Sequence, residues 1–316
     1  MTTWTEQQHF LNEDHHNIFE KTKDIPGWQE PGDSYKLYEM GYRSGDVILE
    51  IGTYGGRSAV VELEGALANP DRSIKPQYFG IDLDINGVLR TADTLEKFNL
   101  TDYCLLFHGT LNSFAKEFSI QPTMVFVDAD HRYEGVKSDL LLLKDYLVAG
   151  TPILCHDYAN PENETGEMGV RQAVNEFIRE GYAEFVGTFG CSAFLLTTNQ
   201  CGGVARPRLS EQEFAGCKAD VLSKIGQSTY KRNTALDSSK PSNPKPDAAI
   251  GQDLQQVKTE LEQAQFRIQQ VKTELEQAQS RIQAMESSKF WKIRLAWFKV
   301  KKMFGVLEKN KNGFIK

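Results

Sequence analysis

The chain has 316 residues, of which 40% are hydrophobic, and a formal net charge of −7. This length and apolar content suffice for one large core with appendages rather than two full-sized domains. The acidic charge argues against a general nucleic-acid-binding protein, so we expect no nucleic-acid partner.

The five cysteines form neither a C-x-x-C pair nor a ladder of metal ligands. In a chain of this size they are typical of reduced, packed thiols, which favours a cytoplasmic location. The polar, acidic N-terminus shows no apolar core of a signal peptide. No run of apolar residues is long enough for a transmembrane helix, so we expect none.

Residues 1–32 are interpreted as a polar N-terminal extension that ends in turn-forming residues, among them Pro26-Gly27-Trp28. Asp33 or Ser34 can cap a short helix that runs through Tyr42 and leads into the first strand.

Residues 33–200 are assigned to one α/β domain, because apolar runs alternate with amphipathic segments from Val47 onwards. Continuous apolar runs such as Met124–Val127 are typical of a parallel sheet covered on both faces. Only Gly190 and Cys191 separate the last two runs, which allows a hairpin but no crossover. We therefore predict a doubly wound, Rossmann-like sheet, mostly parallel, with an antiparallel last strand. The predicted strands are 47–51, 77–82, 103–108, 123–128, 151–156, 183–189 and 192–198, and the predicted helices are 57–68, 87–98, 111–118, 134–148 and 168–180.

The composition changes after the α/β domain. Residues 201–251 are interpreted as a partly helical segment and a disordered linker, because 237–251 is rich in Ser, Pro and Lys. In 252–288, the sequence Gln256–Gln265 recurs verbatim at Gln270–Gln279, and apolar residues follow at alternating spacings of three and four. This pattern predicts a coiled-coil helix and, through it, a homo-oligomer.

Residues 289–316 are interpreted as a basic, aromatic tail. Lys289–Phe304 contains six basic residues, two Trp and no acid, which is typical of a helix on an anionic membrane surface. Arg294 and Lys301 interrupt the apolar face, however. A peripheral membrane contact, a partner protein at 289–304 and a solubilised tail all stay open.

A glycine-containing turn follows the first strand and precedes a helix. Gly52 and Gly56 allow a tight turn and a close approach of backbone to a ligand at the helix N-terminus. Tyr54 stands where the dinucleotide pattern G-x-G-x-x-G requires Gly, which argues against NAD or FAD.

Asp82 ends the second predicted strand, where a carboxylate can accept both hydroxyls of a ribose. Asp84 competes for this role, and a helix cap is the structural alternative for Asp82. Together with the glycine turn, this acid favours a nucleoside-containing ligand.

Acids and imidazoles follow two neighbouring predicted strands, in the sequences Asp128-Ala129-Asp130-His131 and His156-Asp157. Because the carboxyl ends of parallel strands share one edge, these side chains can converge beside the ligand crevice. Asp128, His156 and Asp157 are the candidate ligands of Mg²⁺ or Mn²⁺, which would lower the pKa of a bound hydroxyl. His131 is the candidate base that removes its proton. Helix caps and a structural His–Asp pair are the alternatives.

The run from Glu50 to Val60 (EIGTYGGRSAV) resembles the cofactor loop of catechol-type O-methyltransferases, which are class I enzymes that use S-adenosylmethionine. The layout of residues 25–198 also resembles small bacterial O-methyltransferases of sugar and polyketide tailoring. The resemblance implies that Glu50 lies near the amino group of the methionine, Ser58 near its carboxylate and Asp82 on the ribose. It places Gly109 and Thr110 beside the adenine. The candidate cofactor-binding residues are thus Glu50, Gly52, Tyr54, Gly56, Ser58, Asp82, Gly109 and Thr110.

The same resemblance supports the metal and base roles. Catechol-type enzymes carry an acid at the position of Asp128, and sugar O-methyltransferases carry an Asp-x-x-His that Asp128 and His131 match. On the next strand those families carry oxygen ligands, whereas this chain has His156 before Asp157. Nitrogen in place of oxygen leaves Mg²⁺, Mn²⁺, another ion and no ion open.

The sequence therefore predicts an S-adenosylmethionine-dependent methyltransferase that acts on a hydroxyl of a sugar or another small polyhydroxylated acceptor. The alternatives are a metal-independent N- or O-methyltransferase and a cofactor-binding scaffold at a membrane.

Overall fold

The computed structural model of the chain describes residues 4–218. The predicted coiled coil at 252–288 and the basic tail at 289–316 lie outside the described residues. The same holds for the predicted homo-oligomer and for the membrane or partner contact of the tail.

Within the described residues, seven strands form one sheet. They are β1 (Val47–Ile51), β2 (Gln77–Asp82), β3 (Cys104–His108), β4 (Met124–Val127), β5 (Pro152–Cys155), β6 (Ala183–Phe189) and β7 (Ser192–Thr197). Their order is β3-β2-β1-β4-β5-β7-β6. The first five strands are parallel, and β7 pairs antiparallel with both β5 and β6. The predicted doubly wound sheet with its antiparallel edge is confirmed.

Helices cover both faces of this sheet. They are α1 (Glu13–Thr22), α2 (Pro31–Ser44), α3 (Arg57–Ala68), α4 (Ile85–Lys97), α5 (Leu111–Glu117), α6 (Tyr133–Lys144), α7 (Glu162–Thr165) and α8 (Val170–Arg179). Ile48 packs in the apolar cluster on the side of α1 to α4, and its neighbour Leu49 packs on the side of α5, α6 and α8. Because side chains alternate along a strand, covering both faces accounts for the apolar residues of β1, among which the buried Glu50 is the exception.

Helices α2 and α3 cross at very short range because glycines lie at the contact. A Cβ atom on Gly41 would lie 2.1 Å from the backbone oxygen of Glu62, and one on Gly65 would lie 2.2 Å from that of Tyr38. A side chain at either position would force the helices apart, so this crossing fixes α3 and the turn that precedes it.

Helix α1 was not predicted within the segment read as a polar extension. Asn12 caps it by accepting a hydrogen bond from the backbone N–H of His15 at 2.7 Å. Its buried side chains are His15, Ile18 and Thr22, and the His15 ring stacks on Tyr38 at 4.8 Å. A helix that buries an imidazole and a hydroxyl shows little hydrophobic periodicity, and periodicity was the signal on which the prediction depended.

The expected cap of α2 was also wrong. The helix begins at Pro31, with Glu30 as its N-cap, and ends at Ser44. Asp33 lies within the first turn and accepts the backbone N–H of Glu30 at 2.7 Å, which completes a capping box. Proline in the first turn fits the missing hydrogen-bond donor at that position.

Helical backbone over 211–218 lies in the segment that was expected to be partly helical, and Phe214 packs on Phe79 at 5.4 Å. Within residues 4–218, no helix is both long and apolar enough to cross a membrane. All five cysteines fall in this range; none forms a disulfide bond and four are buried. The cytoplasmic location stays a prediction.

Candidate active site

A cavity of about 880 Å³ opens at the carboxyl ends of the parallel strands. Ligands bind in this crevice in doubly wound folds. The predicted site residues that line it are Gly52, Tyr54, Ser58, Asp82, Gly109, Thr110, Asp128, His131, His156 and Asp157. Of the other two predicted residues, Glu50 is fully buried in β1 and Gly56 is the N-cap of α3.

Gly52 is required by the backbone that surrounds the turn. Its φ is +93°, and a Cβ atom there would lie 2.1 Å from the backbone oxygen of Asp128. The structure therefore shows a close approach between the turn and the end of β4, and the approach of a ligand to this turn stays a prediction. Gly56 is the N-cap of α3 in a left-handed conformation and provides no capping side chain, so the helix N-terminus stays open.

Glu50 lies beneath the turn as the centre of a buried hydrogen-bond network. Its carboxylate accepts hydrogen bonds from the hydroxyls of Ser58 and Tyr78. Complete burial raises the pKa of Glu50 to about 8, although both hydrogen bonds oppose that shift. In this arrangement Ser58 binds Glu50, whereas the resemblance placed Ser58 near a carboxylate of the ligand.

Asp82 and Asp84 have different surroundings. One oxygen of Asp82 accepts the backbone N–H groups of Thr53 at 3.1 Å and Tyr54 at 2.8 Å, so this carboxylate supports the turn. Asp84 caps α4 and lies 3.4 Å from Arg90. Since Asp82 lines the cavity and Asp84 takes the helix-cap role, Asp82 is the better placed of the two for a ribose.

Gly109 and Thr110 line the cavity beyond β3. Thr110 forms a reciprocal capping box with Ser113 at the start of α5. The assignment of these two residues to an adenine stays a prediction.

The acids and imidazoles of β4 and β5 lie close together, as predicted from the strand ends. The Nδ1 atom of His156 lies 3.0 Å from Asp128 Oδ1 and 3.5 Å from Asp157 Oδ2. The Nδ1 atom of His131 lies 2.8 Å from the same Asp157 oxygen. Asp157 adopts a φ of +58°, which is uncommon for a residue other than Gly and marks a constrained backbone.

These contacts determine the charges in the cluster. The hydrogen bond to Asp157 raises the pKa of His131 above its usual range. Burial opposes the charge on His156, but the negative charge of Asp128 together with the polar contacts to Asp128, Asp157 and Cys191 outweighs it and raises the pKa of His156. Burial also opposes ionisation of Asp157, but hydrogen bonds from His131 and Asn160 and the positive charge of His156 outweigh it and hold the pKa of Asp157 below its usual range.

A divalent cation fits this cluster. The Nδ1 atom of His156 is buried and has no well-directed hydrogen-bond partner among the described residues, although two carboxylate oxygens lie near it. Neighbouring ligands of an octahedral ion with bonds of about 2.1 Å are separated by about 3 Å, which matches the contact with Asp128. A second possible set of ligands is Asp128, His131 and Asp157, because each residue has one ligand atom within 4.8 Å of those of the other two. His131 is therefore an alternative ligand.

Sequence reasoning missed the residues behind His156. Its Nε2 atom lies 3.3 Å from the sulfur of Cys191 and 3.8 Å from Asp33 Oδ2, and the Trp28 ring packs edge-on at 5.7 Å. Pro26-Gly27-Trp28 was predicted only as a turn at the end of the N-terminal extension. Asp33 and Cys191 are 158 residues apart, and no local pattern connects them.

A family model described as a methyltransferase domain matches residues 49–158, a range that runs from β1 to just beyond β5. The α/β domain is a methyltransferase domain. The methyltransferase prediction that started from the Glu50–Ser58 turn is confirmed at this level, and the match spans both the turn and the cluster at Asp128 and His156.

Several solved methyltransferases are similar to this chain at low sequence identity. TomG from Streptomyces achromogenes, involved in tomaymycin synthesis and solved with S-adenosylmethionine (SAM), is 17% identical, with a TM-score of 0.45 over 59% of this chain and 88% of that one. An enzyme from Bacillus cereus, solved with the demethylated cofactor SAH, is 15% identical, with a TM-score of 0.45 over 59% and 91%. The Podospora anserina methyltransferase PaMTH1, solved with SAH, is 18% identical, with a TM-score of 0.46 over 61% and 90%. No curated protein sequence matches significantly. These identities are too low to transfer a substrate or a residue role to this chain.

Proposed function

We propose that the chain is a SAM-dependent O-methyltransferase that acts on a hydroxyl group of a small polyhydroxylated acceptor such as a sugar. One observation carries the proposal. A single cavity joins the glycine turn and Asp82 on one wall to the cluster of Asp128, His131 and Asp157 on the other. A nucleoside-binding wall that faces a base and a set of hard ligands is the arrangement that methyl transfer to oxygen requires.

The domain holds its donor through the turn and the strand end that follows it. The N-terminus of α3 opens towards the cavity, and Asp82 offers carboxylate oxygens at its wall. When bound, the sulfonium cofactor supplies an electrophilic methyl group. The buried Glu50 carboxyl lies directly below, where the ammonium group of the cofactor would favour its ionised form.

His131 has the geometry of a general base. Its Nδ1 atom donates to Asp157 at 2.8 Å, which leaves Nε2 with the lone pair that accepts a proton. The side chain is 42% exposed and lines the cavity, so a bound hydroxyl can reach it. Because Asp157 stabilises the imidazolium that forms, the pair resembles the His–Asp arrangement of other acid–base catalysts.

Asp128, His156 and Asp157 are the residues that would hold a divalent ion. When bound, the ion lowers the pKa of a coordinated hydroxyl and makes it a better nucleophile at neutral pH. Asp128, His156 and Asp157 line the same cavity as His131, so a hydroxyl bound beside them would lie near the base. Methylation without an ion, at oxygen or nitrogen, is the competing mechanism.

The test measures transfer of tritium from methyl-labelled SAM to a panel of free sugars, sugar nucleotides and catechols, using the full chain. We expect transfer to a hydroxylated acceptor that a chelator abolishes and that added Mn²⁺ or Mg²⁺ restores. His131→Gln should lower the rate at least about 100-fold while SAH binding is retained. His108→Gln, at the exposed end of β3 and outside the cavity lining, is the matched control and should act as the wild type.

Two results would contradict the proposal. Failure of the wild-type chain to bind SAH in calorimetry would remove the methyltransferase mechanism altogether. Activity that is unaffected by the chelator would remove the metal from it and favour the ion-independent mechanism.

A further inference from the structure

A second group of possible metal ligands lies at the Nε2 edge of the His156 ring. It consists of Asp33 in the first turn of α2, His156 directly after β5 and Cys191 in the turn between β6 and β7. One ligand atom of each residue lies within 4.8 Å of those of the other two, and all three residues are buried. Asp33 and Cys191 are not among the residues that line the cavity, so this group extends behind the site of the proposed function and shares only His156 with it.

The distances within this group are close to those of a tetrahedral zinc site. The Cys191 sulfur lies 3.3 Å from His156 Nε2 and 3.7 Å from Asp33 Oδ2, and that nitrogen and that oxygen are 3.8 Å apart. Zinc bonds of about 2.3 Å to sulfur and about 2.0 Å to nitrogen or oxygen separate neighbouring ligand atoms by about 3.3–3.5 Å. An ion therefore fits after shifts of about half an ångström. Asp157 Oδ1, 3.8 Å from the same sulfur, is available as a fourth ligand.

The Asp33 carboxylate is fixed by hydrogen bonds that leave one oxygen with free capacity. Its Oδ1 atom accepts the backbone N–H groups of Cys191 and Ser192, both at 3.1 Å, and the Ser192 hydroxyl at 2.6 Å. Its Oδ2 atom accepts one backbone N–H, from Glu30 at 2.7 Å, and can bind a further partner. A Cβ atom on Gly190 would lie 2.6 Å from this carboxylate, so the turn between β6 and β7 packs directly against it. Hydrogen bonds of this kind orient the ligands of metal sites.

His156 has the surroundings of a zinc-bound imidazole. A histidine that binds a metal through one nitrogen usually directs its other nitrogen to a carboxylate or a carbonyl. The Nδ1 atom of His156 lies 3.0 Å from Asp128 Oδ1, so a carboxylate is present at the required edge. A ring that binds zinc alone keeps its proton on Nδ1 for Asp128. A ring that also binds the cation of the proposed function carries no proton and bridges the two ions.

The Cys191 sulfur has more polar neighbours than a thiol can satisfy. Three carboxylate oxygens, two of Asp33 and one of Asp157, lie within 3.8 Å of it, in addition to the His156 nitrogen. A thiol has one proton to donate, whereas a divalent cation binds several such atoms at once. The competing state is a protonated His156 ring that donates from Nε2. Zinc would displace that proton and the thiol proton, and both would pass to the solvent.

We propose that Asp33, His156 and Cys191 form a buried zinc site that connects the start of α2, the end of β5 and the turn between β6 and β7. Thiolate sulfur and imidazole nitrogen bind Zn²⁺ well, whereas Mg²⁺ prefers oxygen ligands. The ion is structural, because Asp33 is 0% and Cys191 3% exposed and neither lines the cavity. Bound zinc stabilises the fold and fixes the imidazole whose other edge faces Asp128.

The experiment uses the full chain without an affinity tag, produced with zinc in the medium and then washed with a chelator. The proteins are the wild type, Cys191→Ser and Cys201→Ser. Cys201 is the matched control, because it is a buried thiol that donates to the backbone oxygen of Tyr182, as a serine hydroxyl also can. Mass spectrometry counts the zinc in each protein. Replacement of zinc by Co²⁺ then shows, through the ultraviolet absorption band of a cobalt–thiolate bond, whether a cysteine is a ligand.

The wild type and Cys201→Ser should retain about one zinc ion per chain and show the cobalt–thiolate band. Cys191→Ser should bind zinc about 100-fold or more weakly and show no band, and its Tm should no longer rise with added zinc.

A wild type that holds no zinc and shows no band with Co²⁺ would overturn the site and leave a protonated His156 ring in its place. This result needs no variant, so a Cys191→Ser protein that fails to fold does not prevent it. A band that persists in Cys191→Ser would assign the ion to another cysteine, and zinc without a band in the wild type would assign it to the carboxylates of Asp128 and Asp157. Both results would also overturn the site. Binding of SAH to the same samples tests the proposed function separately.

Discussion

The buried carboxyl of Glu50 gives a prediction that needs no knowledge of the acceptor. Glu50→Gln keeps the shape of the side chain and removes its ionisation. In the folded protein, burial raises the pKa of Glu50 to about 8, compared with an ordinary value of 4.5. Above pH 4.5 the unfolded chain releases this proton while the folded chain keeps it, so the wild type loses stability as pH rises towards 8.

The magnitude follows from the number of protons. Between pH 5 and pH 7 the folded and unfolded states differ by nearly one proton, and each pH unit then corresponds to about 1.4 kcal/mol. The free energy of unfolding of the wild type should therefore fall by about 2–3 kcal/mol relative to the Gln variant over this interval. The Gln variant also loses ideal hydrogen bonds from Ser58 and Tyr78, which changes its free energy of unfolding by an amount that does not depend on pH. The slope of the difference between the two proteins against pH therefore reports the ionisation of Glu50 alone.

The assay is urea unfolding of the ligand-free chain at pH 5, 6 and 7, followed by tryptophan fluorescence and circular dichroism. Glu184→Gln is the control because it removes an exposed carboxylate from β6 and should stay within about 0.5 kcal/mol of the wild type at each pH. A difference between wild type and Glu50→Gln that stays constant with pH would refute the buried, protonated carboxyl.

Other residues give shorter tests. Asp128→Asn should weaken Mn²⁺ binding, measured by electron paramagnetic resonance, by about tenfold or more. His131→Gln should still bind the ion. Loss of Mn²⁺ binding in the His131 variant would show that this imidazole is a ligand. Hydrogen bonds from a tyrosine and a lysine of α6 lower the pKa of Glu176 from 4.5 to about 2. Its stabilisation is present above pH 4.5 and is lost as pH falls towards 2, so the Tm advantage of the wild type over Glu176→Gln should shrink in acid; a constant advantage would contradict this. Deleting 252–316 should leave the α/β domain folded by circular dichroism and lower the mass by light scattering, and an unchanged mass would refute the coiled-coil oligomer.

Most of the sheet could be predicted because burial imposes a pattern on the sequence. Met124–Val127 is apolar without interruption since helices cover both faces of β4, and the predicted strand exceeded the observed one by a single residue at each end. Helix α1 could not be found in this way, because its buried positions include His15 and Thr22. The capping box at Glu30 and Asp33 lacks the usual Ser or Thr, so α2 was predicted to begin too late.

The site residues that directly follow parallel strands could be predicted, because the strand order determines where they lie in the sheet. Asp128 and Asp157 follow adjacent parallel strands, and the geometry of such a sheet brings them to one edge. Arg57 lies inside the predicted turn, but only the structure shows that two of its nitrogens have no hydrogen-bond partner within residues 4–218. Asp33 and Cys191 reach the site from α2 and from the turn between β6 and β7, and contacts between distant segments leave no periodic trace in a single sequence.

His156 lies between the acids at the strand ends and the residues that come from distant segments of the chain. It is also the residue that departs from the family pattern. Its Nδ1 atom faces Asp128 and Asp157, while its Nε2 atom lies 3.3 Å from Cys191 and 3.8 Å from Asp33. A ring with polar partners at both edges resists the rotation that would exchange its nitrogens, so it presents one donor atom in one direction, as a carboxylate ligand does. Imidazole favours transition-metal ions, whereas Mg²⁺ prefers oxygen ligands. Under the proposed function, nitrogen at this position therefore favours Mn²⁺ over Mg²⁺ and leaves the rest of the site intact.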